Sequence, residues 1–207
     1  MKPIKIIITI CCVLCLTAFS YLPETETVEE GYKIGDQASD FKLKNIDGNM
    51  VSLADYENAK GFIVIFTCNT CPYSVANEDR IMALDTKFKA KGFPVIAINP
   101  NSAELSPGDS FPKMQQRAKE KGFEFPYLFD EDQTVFPKYG AKRTPLVYVL
   151  QKDQKDLIVR YIGAIDNSPK NESGATVHFV ADVVDALLSG KPSPHDETKA
   201  IGCGIKA

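Results

Sequence analysis

Apolar and polar residues alternate in two distinct patterns along the chain after residue 33. The runs 62–66 and 95–98 are continuously apolar and rich in β-branched side chains, which is typical of strands buried on both faces of a sheet. Between them, from Pro72 to about Lys91, apolar positions recur every three or four residues, which predicts an amphipathic helix ended by Gly92. The same patterns predict helices over 110–121, 135–139 and 177–188, and strands over 41–43, 50–53, 127–129, 146–150 and 157–162.

This order of elements predicts one α/β domain over residues 34–190. Strands and helices alternate, and a polar turn at 152–156 joins the two closing strands. We therefore expect a three-layer sandwich in which helices flank a central mixed β-sheet. The chain has 207 residues, 44% of them apolar, which is enough for one such core with extensions. Residues 191–207 are predicted to form a flexible C-terminal tail.

The first twenty residues have the pattern of a signal peptide. Two lysines flank the start of an uncharged apolar stretch over 6–19, and Ala18-Phe19-Ser20 puts small residues where a signal peptidase reads them. This stretch is shorter than the about 20 residues that cross a membrane, and an uncleaved N-terminal anchor is the alternative. Residues 21–33, rich in glutamate, are expected to be a solvated tether. The prediction is an exported protein of a bacterial periplasm or cell envelope, which meets a membrane only through this segment if it is uncleaved.

Charge and cysteine content limit the partners and the reactions to expect of this chain. The net charge is −3 and no block of basic residues stands out, so nucleic acid is not an expected partner. Removal of residues 1–20 takes away three of the six cysteines and leaves Cys68, Cys71 and Cys203. An odd number of thiols in an oxidising compartment indicates one pair with a free or exchanging third thiol.

The pattern with the most chemical content is Cys68-Asn69-Thr70-Cys71-Pro72, which joins a predicted buried strand to a helix. Two intervening residues let the sulfurs meet in a tight, reducible disulfide ring, and the unpaired N–H groups of a helix start stabilise a thiolate. A zinc site would need further Cys or His ligands, and a haem attachment site would need His in place of Pro72. We therefore expect no cofactor and no metal here. A purely structural disulfide would add little stability here, because closing so short a loop removes little conformational entropy from the unfolded chain.

Two further features lie far along the chain. Thr144-Pro145 directly precedes the strand predicted over 146–150, where a cis proline would turn a backbone N–H and C=O toward its neighbours. An ordinary strand-opening proline is the alternative. Cys203 follows Gly202 near the C-terminus and is a resolving thiol that reaches the active site, a bridge between subunits, or a free tail thiol.

These residues resemble the thioredoxin-fold superfamily and, within it, the redoxin or peroxiredoxin-like (alkyl hydroperoxide reductase/thiol-specific antioxidant-like) branch. The resemblance rests on FTCNTCPYS at 66–74, on Thr144-Pro145 and on Gly202-Cys203, and it extends over roughly residues 34–205. It implies a thiol-disulfide oxidoreductase in which Cys68 attacks a substrate disulfide and Cys71 resolves the mixed disulfide. Thr144 and Pro145 would hold the substrate chain, and the partners would be protein or small-molecule thiols and disulfides.

The same resemblance leaves alternatives open. In the peroxiredoxin register Cys71 would react with peroxide through a sulfenic acid, with Arg143 as the candidate activating arginine. Cys68 stands where peroxiredoxins carry Thr or Ser, and their Pro is also absent, so dithiol exchange is favoured. A non-catalytic module that binds metal through these thiolates is a third reading. Some relatives keep a buried carboxylate in the strand before the motif; Ile65 stands there, and Glu57 is a candidate substitute.

Overall fold

An eight-stranded mixed sheet forms the centre of the protein in the computed structural model, which describes residues 31–207. The predicted signal peptide and residues 21–30 of the predicted tether lie outside the described residues. A separate two-stranded sheet pairs two short segments near the cysteines. The strands are β1 (Gln37–Ala38), β2 (Lys42–Asn45), β3 (Met50–Ser52), β4 (Gly61–Phe66), β5 (Val95–Asn99), β6 (Tyr127–Phe129), β7 (Arg143–Thr144), β8 (Leu146–Asp153), β9 (Asp156–Gly163) and β10 (Cys203–Gly204).

The strand order brings two loops together at one edge of the large sheet. The order is β1-β9-β8-β4-β5-β6-β2-β3, with β7 and β10 forming the small sheet. β5 is parallel to its neighbours β4 and β6, whereas the other pairs of the large sheet are antiparallel. Because β4 and β5 are parallel, their carboxyl ends lie side by side. The loops that follow these two strands therefore meet.

Helices cover both faces of the sheet, which confirms the predicted three-layer α/β sandwich. Every residue of β4 is buried, because alternate side chains enter different cores. The helices are α1 (Pro72–Val75), α2 (Glu78–Phe88), α3 (Phe111–Lys121), α4 (Val135–Tyr139) and α5 (Phe179–Leu188). Ile63 and Ile65 pack in a core with α2, α3 and α5, and Phe62, Val64 and Phe66 pack in a core with α4.

The helix predicted from Pro72 to about Lys91 is interrupted, and this part of the prediction is wrong. α1 ends at Val75, α2 begins at Glu78, and a 3₁₀ turn at Lys89–Lys91 follows α2. The side-chain amide of Asn77 donates to the Tyr73 carbonyl across 2.7 Å and to the Pro169 carbonyl across 2.9 Å. Such a side-chain bond competes with the backbone for a helical carbonyl, which accounts for the break.

The closing hairpin is longer than predicted. β8 extends to Asp153 and β9 begins at Asp156, so the turn between them consists of Gln154 and Lys155 alone. Gln154 has a φ of 55°, which lies in the left-handed region that tight hairpin turns require. The polar residues that suggested a longer turn are strand residues at the exposed end of the hairpin.

Candidate active site

The two cysteines of the CxxC motif lie where β4 gives way to α1. β4 ends at Phe66, and Cys71 is the residue that caps the start of α1, with Pro72 in the first turn. Cys68 and Cys71 are both buried, each with 3% of its surface exposed, and both are free thiols. The strand-to-helix junction predicted from the sequence is therefore present, with its sulfurs beneath the surface.

Thr144 joins the two cysteines to a distant part of the chain. Its peptide bond to Pro145 is cis. Cys68 Sγ lies 3.1 Å from the Thr144 hydroxyl oxygen, and the Cys71 thiol donates to the Thr144 carbonyl oxygen across 3.1 Å. The structure thus brings Thr144-Pro145 against the CxxC motif.

The C-terminal segment is a strand at this site, so the prediction of a flexible tail around Cys203 is wrong. β10 pairs antiparallel with β7, with Cys203 opposite Thr144 and Gly204 opposite Arg143. The Cys203 N–H donates to Cys71 Sγ across 3.4 Å. A two-residue strand gives no periodic pattern in sequence, and its position depends on backbone pairing with an equally short partner.

Gly202 allows this close approach. A Cβ atom at position 202 would lie 2.1 Å from the Thr144 carbonyl oxygen and 3.1 Å from the Pro145 nitrogen. Real Cβ atoms essentially never come so near, so any other residue here would push the segment off β7. Gly204, two residues on, has open space at its Cβ position.

The Arg143 side chain contacts the C-terminal segment and not the cysteine sulfurs. Its Nη1 donates to the Ala200 carbonyl across 3.2 Å, and the side chain is exposed. Beyond Cys203, the Lys206 N–H donates to Asn101 Oδ1 across 2.9 Å, and the Lys206 carbonyl accepts from Ser102 N–H across 2.8 Å. These contacts anchor the tail on both sides of Cys203.

The surroundings of the three sulfurs favour ionisation of Cys71. Hydrogen bonds from the Cys68 thiol lower the pKa of Cys71, and the Cys203 thiol and the N–H groups of Ser74 and Cys203 add to this against the cost of burial. The pKa of Cys68 is raised because its thiol donates to Cys71, because it is buried, and because Asp109 is negatively charged. The pKa of Cys203 is raised, mainly by the same bond to Cys71. Cys71 is therefore the thiol of the group that ionises first, and its hydrogen bond to the Thr144 carbonyl is lost when it does so.

Asp109 is a site residue that sequence reasoning missed. It ends a 3₁₀ turn (Pro107–Asp109) in the loop after β5 and is completely buried. Its carboxylate accepts the backbone N–H of Asn69 across 2.7 Å and that of Thr70 across 3.2 Å. The only sequence signal is Ser-Pro-Gly-Asp after a buried strand, which reads as an ordinary surface turn.

Glu57 does not serve as the carboxylate of this site. It precedes β4, whereas Cys68 follows that strand. The six residues of β4 separate the two by roughly 20 Å at about 3.3 Å per residue. The Glu57 carbonyl instead accepts a bond from Lys152 Nζ across 3.1 Å.

Within residues 31–207, no three His, Cys, Asp or Glu side chains are grouped so that they could hold a metal ion. No helix in the same range has both the length and the apolar content that a membrane span needs.

Comparison with known proteins gives the class. Residues 34–162 match the AhpC/TSA family, which is more than half of the chain. The chain therefore belongs to the AhpC/TSA family. Its fold is thioredoxin-like, and it is an oxidoreductase of the kind that includes thiol-disulfide oxidoreductases and peroxiredoxins.

Three proteins show what the chain is similar to. A solved structure described as an uncharacterized conserved protein from Geobacillus kaustophilus is 37% identical with a TM-score of 0.78, over 85% of this chain and 93% of that one. Thiol-disulfide oxidoreductase ResA of Halalkalibacterium halodurans is 26% identical over 120 residues, or 58% of this chain and 64% of that protein. The chain thus spans less than two thirds of the length of that relative. Peroxidoxin BcpB from Mycobacterium tuberculosis, at 22% identity and a TM-score of 0.50, shares the fold.

Proposed function

We propose that the protein catalyses thiol–disulfide exchange with protein or small-molecule substrates through the Cys68–Cys71 pair, with Cys203 as a third, resolving thiol. One observation carries the proposal: Thr144 contacts the sulfurs of both Cys68 and Cys71, and the Cys203 N–H donates to Cys71 Sγ across 3.4 Å. Cys68 and Cys203 therefore both lie close to Cys71, which puts Cys71 at the centre of the exchange.

The chemistry is two successive displacements at sulfur. The Cys71 thiolate attacks a substrate disulfide, forms a mixed disulfide and releases one substrate thiolate, which takes up a proton from solvent. Cys68 or Cys203, after losing its proton, then attacks Cys71 Sγ and releases the second substrate thiolate. The substrate gains two electrons and two protons, and the protein is left with one disulfide. An external thiol reductant restores the dithiol.

The order of attack differs from the one that the thioredoxin register implies. That register makes Cys68 the attacking thiolate and Cys71 the resolving thiol. The contacts favour the reverse, because the Cys203 N–H donates to Cys71 Sγ, whereas the N–H groups of Asn69 and Thr70, next to Cys68, donate to Asp109. Both orders end in the same Cys68–Cys71 disulfide.

Thr144 and Pro145 are proposed to bind the substrate chain. β10 now pairs with Thr144, so an extended substrate segment would take the place of the tail. Burial of Cys68 and Cys71 supports this, because a bulky disulfide reaches neither sulfur while the tail lies across them. Displacement of residues 201–205 is then part of each turnover with a protein substrate.

Trapping of mixed disulfides tests the order of attack. A protein disulfide such as insulin is incubated with Cys71→Ser, with Cys68→Ser and with Cys68→Ser/Cys203→Ser, and the adducts are mapped by mass spectrometry. The proposal predicts a stable adduct on Cys71 in the double variant and no turnover in Cys71→Ser. A stable adduct on Cys68 in Cys71→Ser, with none on Cys71 in the double variant, would establish the thioredoxin order instead. Full reduction of the substrate disulfide by every variant would contradict the proposal.

Peroxide reduction is a second candidate, favoured by the same ionised Cys71 at the start of α1. In that reaction the thiolate displaces an alcohol or water from a peroxide and becomes a sulfenic acid. Condensation with the Cys68 or Cys203 thiol releases water and leaves a disulfide. Rapid peroxide consumption that survives Cys68→Ser but not Cys71→Ser would establish this activity. Slow consumption with irreversible over-oxidation of Cys71 would count against it.

Export to a bacterial periplasm or cell envelope is proposed from residues 1–20. Their charged start, apolar stretch and small residues fit cleavage by a signal peptidase. An N-terminus at Tyr21 in protein recovered from the envelope fraction would support export. An intact Met1 in a soluble cytoplasmic fraction would contradict it.

A further inference from the structure

The two residues between the cysteines are held by a buried carboxylate from another loop. Asp109 Oδ1 accepts the N–H groups of Asn69 and Thr70, and Oδ2 accepts the Thr70 hydroxyl across 2.6 Å. Two neutral side chains complete the set, with Asn101 Nδ2 at 2.8 Å and the Ser106 hydroxyl at 2.7 Å. Five donors thus converge on one carboxylate that is completely buried.

Within residues 31–207, no cationic side chain neutralises this carboxylate: no Lys, Arg or His nitrogen lies within 4.0 Å of an Asp109 carboxylate oxygen. A buried charge without a partner is costly unless hydrogen bonds replace its hydration, and here neutral donors do so. The negative charge therefore stays concentrated beside the CxxC loop.

The loop is fixed from its other side as well. Asn69 Nδ2 donates to the Gly108 carbonyl across 3.0 Å, and the Tyr127 hydroxyl donates to Asn69 Oδ1 across 3.0 Å. A Cβ atom on Gly108 would lie 2.6 Å from the Thr70 methyl carbon, so the two loops are in direct contact. The Asn-Thr spacer is held by side-chain bonds where a Gly-Pro spacer would have none.

These contacts remove two donors from the sulfur of Cys68. At the start of a helix, free N–H groups are the usual means of stabilising a nearby thiolate. The N–H groups of Asn69 and Thr70 donate to Asp109 instead, which leaves the Thr144 hydroxyl and the Cys71 N–H as donors to Cys68, while the Cys203 N–H donates to Cys71. A negative charge close to Cys68 also opposes a second negative charge there.

We infer that Asp109 is a positioning residue of the redox pair: it binds the spacer amides, keeps Cys68 protonated and directs ionisation to Cys71. It touches neither sulfur and acts through the spacer and through its charge. The inference rests on the proposed exchange at Cys68 and Cys71. It also implies that Asp109 makes the pair a stronger reductant, because a charge that destabilises thiolates favours the disulfide form.

The test is Asp109→Asn in the full chain, with two readouts. The first is the pH dependence of alkylation at each cysteine, followed by mass spectrometry. The second is the equilibrium constant for oxidation of the pair by oxidised glutathione. We expect alkylation of Cys68 to begin at lower pH and the oxidation constant to fall at least about threefold.

Two further variants keep the test decisive. Asp109→Ser also removes the charge, and it avoids the clash of an Asn amide with Asn101 Nδ2, so it serves if Asp109→Asn does not fold. Asp85→Asn is the control: Asp85 is buried, accepts the Val95 N–H across 3.1 Å and lies at the opposite end of β5 from the site. It should lower stability without moving either readout.

The outcomes separate this inference from the proposed function. A folded Asp109 variant whose alkylation profile and oxidation constant match those of Asp85→Asn would overturn the role of Asp109. A protein that never forms the Cys68–Cys71 disulfide would overturn the exchange reaction, while the alkylation profile would still report on Asp109. A general rise in reactivity at all three cysteines, with no change in their order, would indicate a loosened site and contradict the inference.

Discussion

The backbone N–H of Cys203 donates to Cys71 Sγ across 3.4 Å, although 132 residues separate the two in sequence. This bond is made because β10 pairs with β7 and places Cys203 opposite Thr144, whose carbonyl contacts Cys71. The C-terminal segment therefore forms one side of the site. It also carries the third thiol of the site, Cys203.

Three single cysteine variants should show two alternative disulfides. Oxidised Cys68→Ser is expected to form a Cys71–Cys203 disulfide, and oxidised Cys203→Ser a Cys68–Cys71 disulfide, because Thr144 contacts both CxxC sulfurs and the Cys203 N–H contacts Cys71 Sγ. Cys71→Ser should form neither. Peptide mapping after mild oxidation and alkylation distinguishes the three. A Cys68–Cys203 disulfide in Cys71→Ser would show that the sulfurs rearrange more freely than these contacts imply.

Gly202→Ala should open the site, since its Cβ would lie 2.1 Å from the Thr144 carbonyl oxygen. The segment is expected to leave β7, so alkylation of Cys203 and Cys71 by a bulky maleimide should rise at least about fivefold. Gly204→Ala is the matched control, because nothing lies within 4 Å of that Cβ position. Equal reactivity in the two variants would mean that the close approach at Gly202 does not hold the tail.

The lowered pKa of Cys71 predicts a thiolate that persists in mildly acidic solution. An ordinary thiol, with a pKa of about 8.5, loses its thiolate about tenfold per pH unit below that value. Cys71 should keep its thiolate as the pH falls from 8 to about 6, because the neighbouring donors favour the charged form. Ultraviolet thiolate absorbance of the reduced protein should accordingly show an acidic transition that is missing in Cys71→Ser. A transition that survives in Cys71→Ser and vanishes in Cys68→Ser would reverse the assignment.

A buried ion pair near the helix break should matter more for stability than an exposed one. Arg80 and Asp166 pair across 2.7 Å with both side chains buried, whereas Lys87 and Asp185 pair across 2.8 Å at the surface. Asp166→Asn leaves a buried guanidinium without its counter-charge and should lower the free energy of unfolding by about 3 kcal/mol. Asp185→Asn should cost less than about 1 kcal/mol. Urea denaturation of both variants measures the difference, and equal losses would contradict it.

Much of the fold follows from the apolar patterns in the sequence. The strands around 62–66 and 95–98 form as predicted because their continuous apolar runs suit two-faced burial. The helix break at Asn77 was not predictable, since it depends on a side-chain bond to Pro169 from a remote loop. Helical periodicity alone continues through it.

The candidate site was predictable only in part. The CxxC spacing and Thr144-Pro145 are local patterns, and the structure brings them together. The contact with Cys203 arises from a two-residue strand, and the role of Asp109 arises from two loops that meet only after β4 and β5 pair. Ionisation of one sulfur rather than the other depends on Cys203 and Asp109, which are remote in sequence. The CxxC motif alone therefore could not predict it.

The most direct test of the exchange reaction is the redox state of the Cys68–Cys71 pair across a series of glutathione ratios, read as the mass shift after thiol alkylation. The account predicts one reversible two-electron transition between dithiol and disulfide, lost in Cys71→Ser. A midpoint near about −270 mV would indicate a reductant, and one near about −120 mV an oxidant that donates disulfides. If the pair stays reduced at every ratio while peroxide over-oxidises Cys71, the exchange function is contradicted.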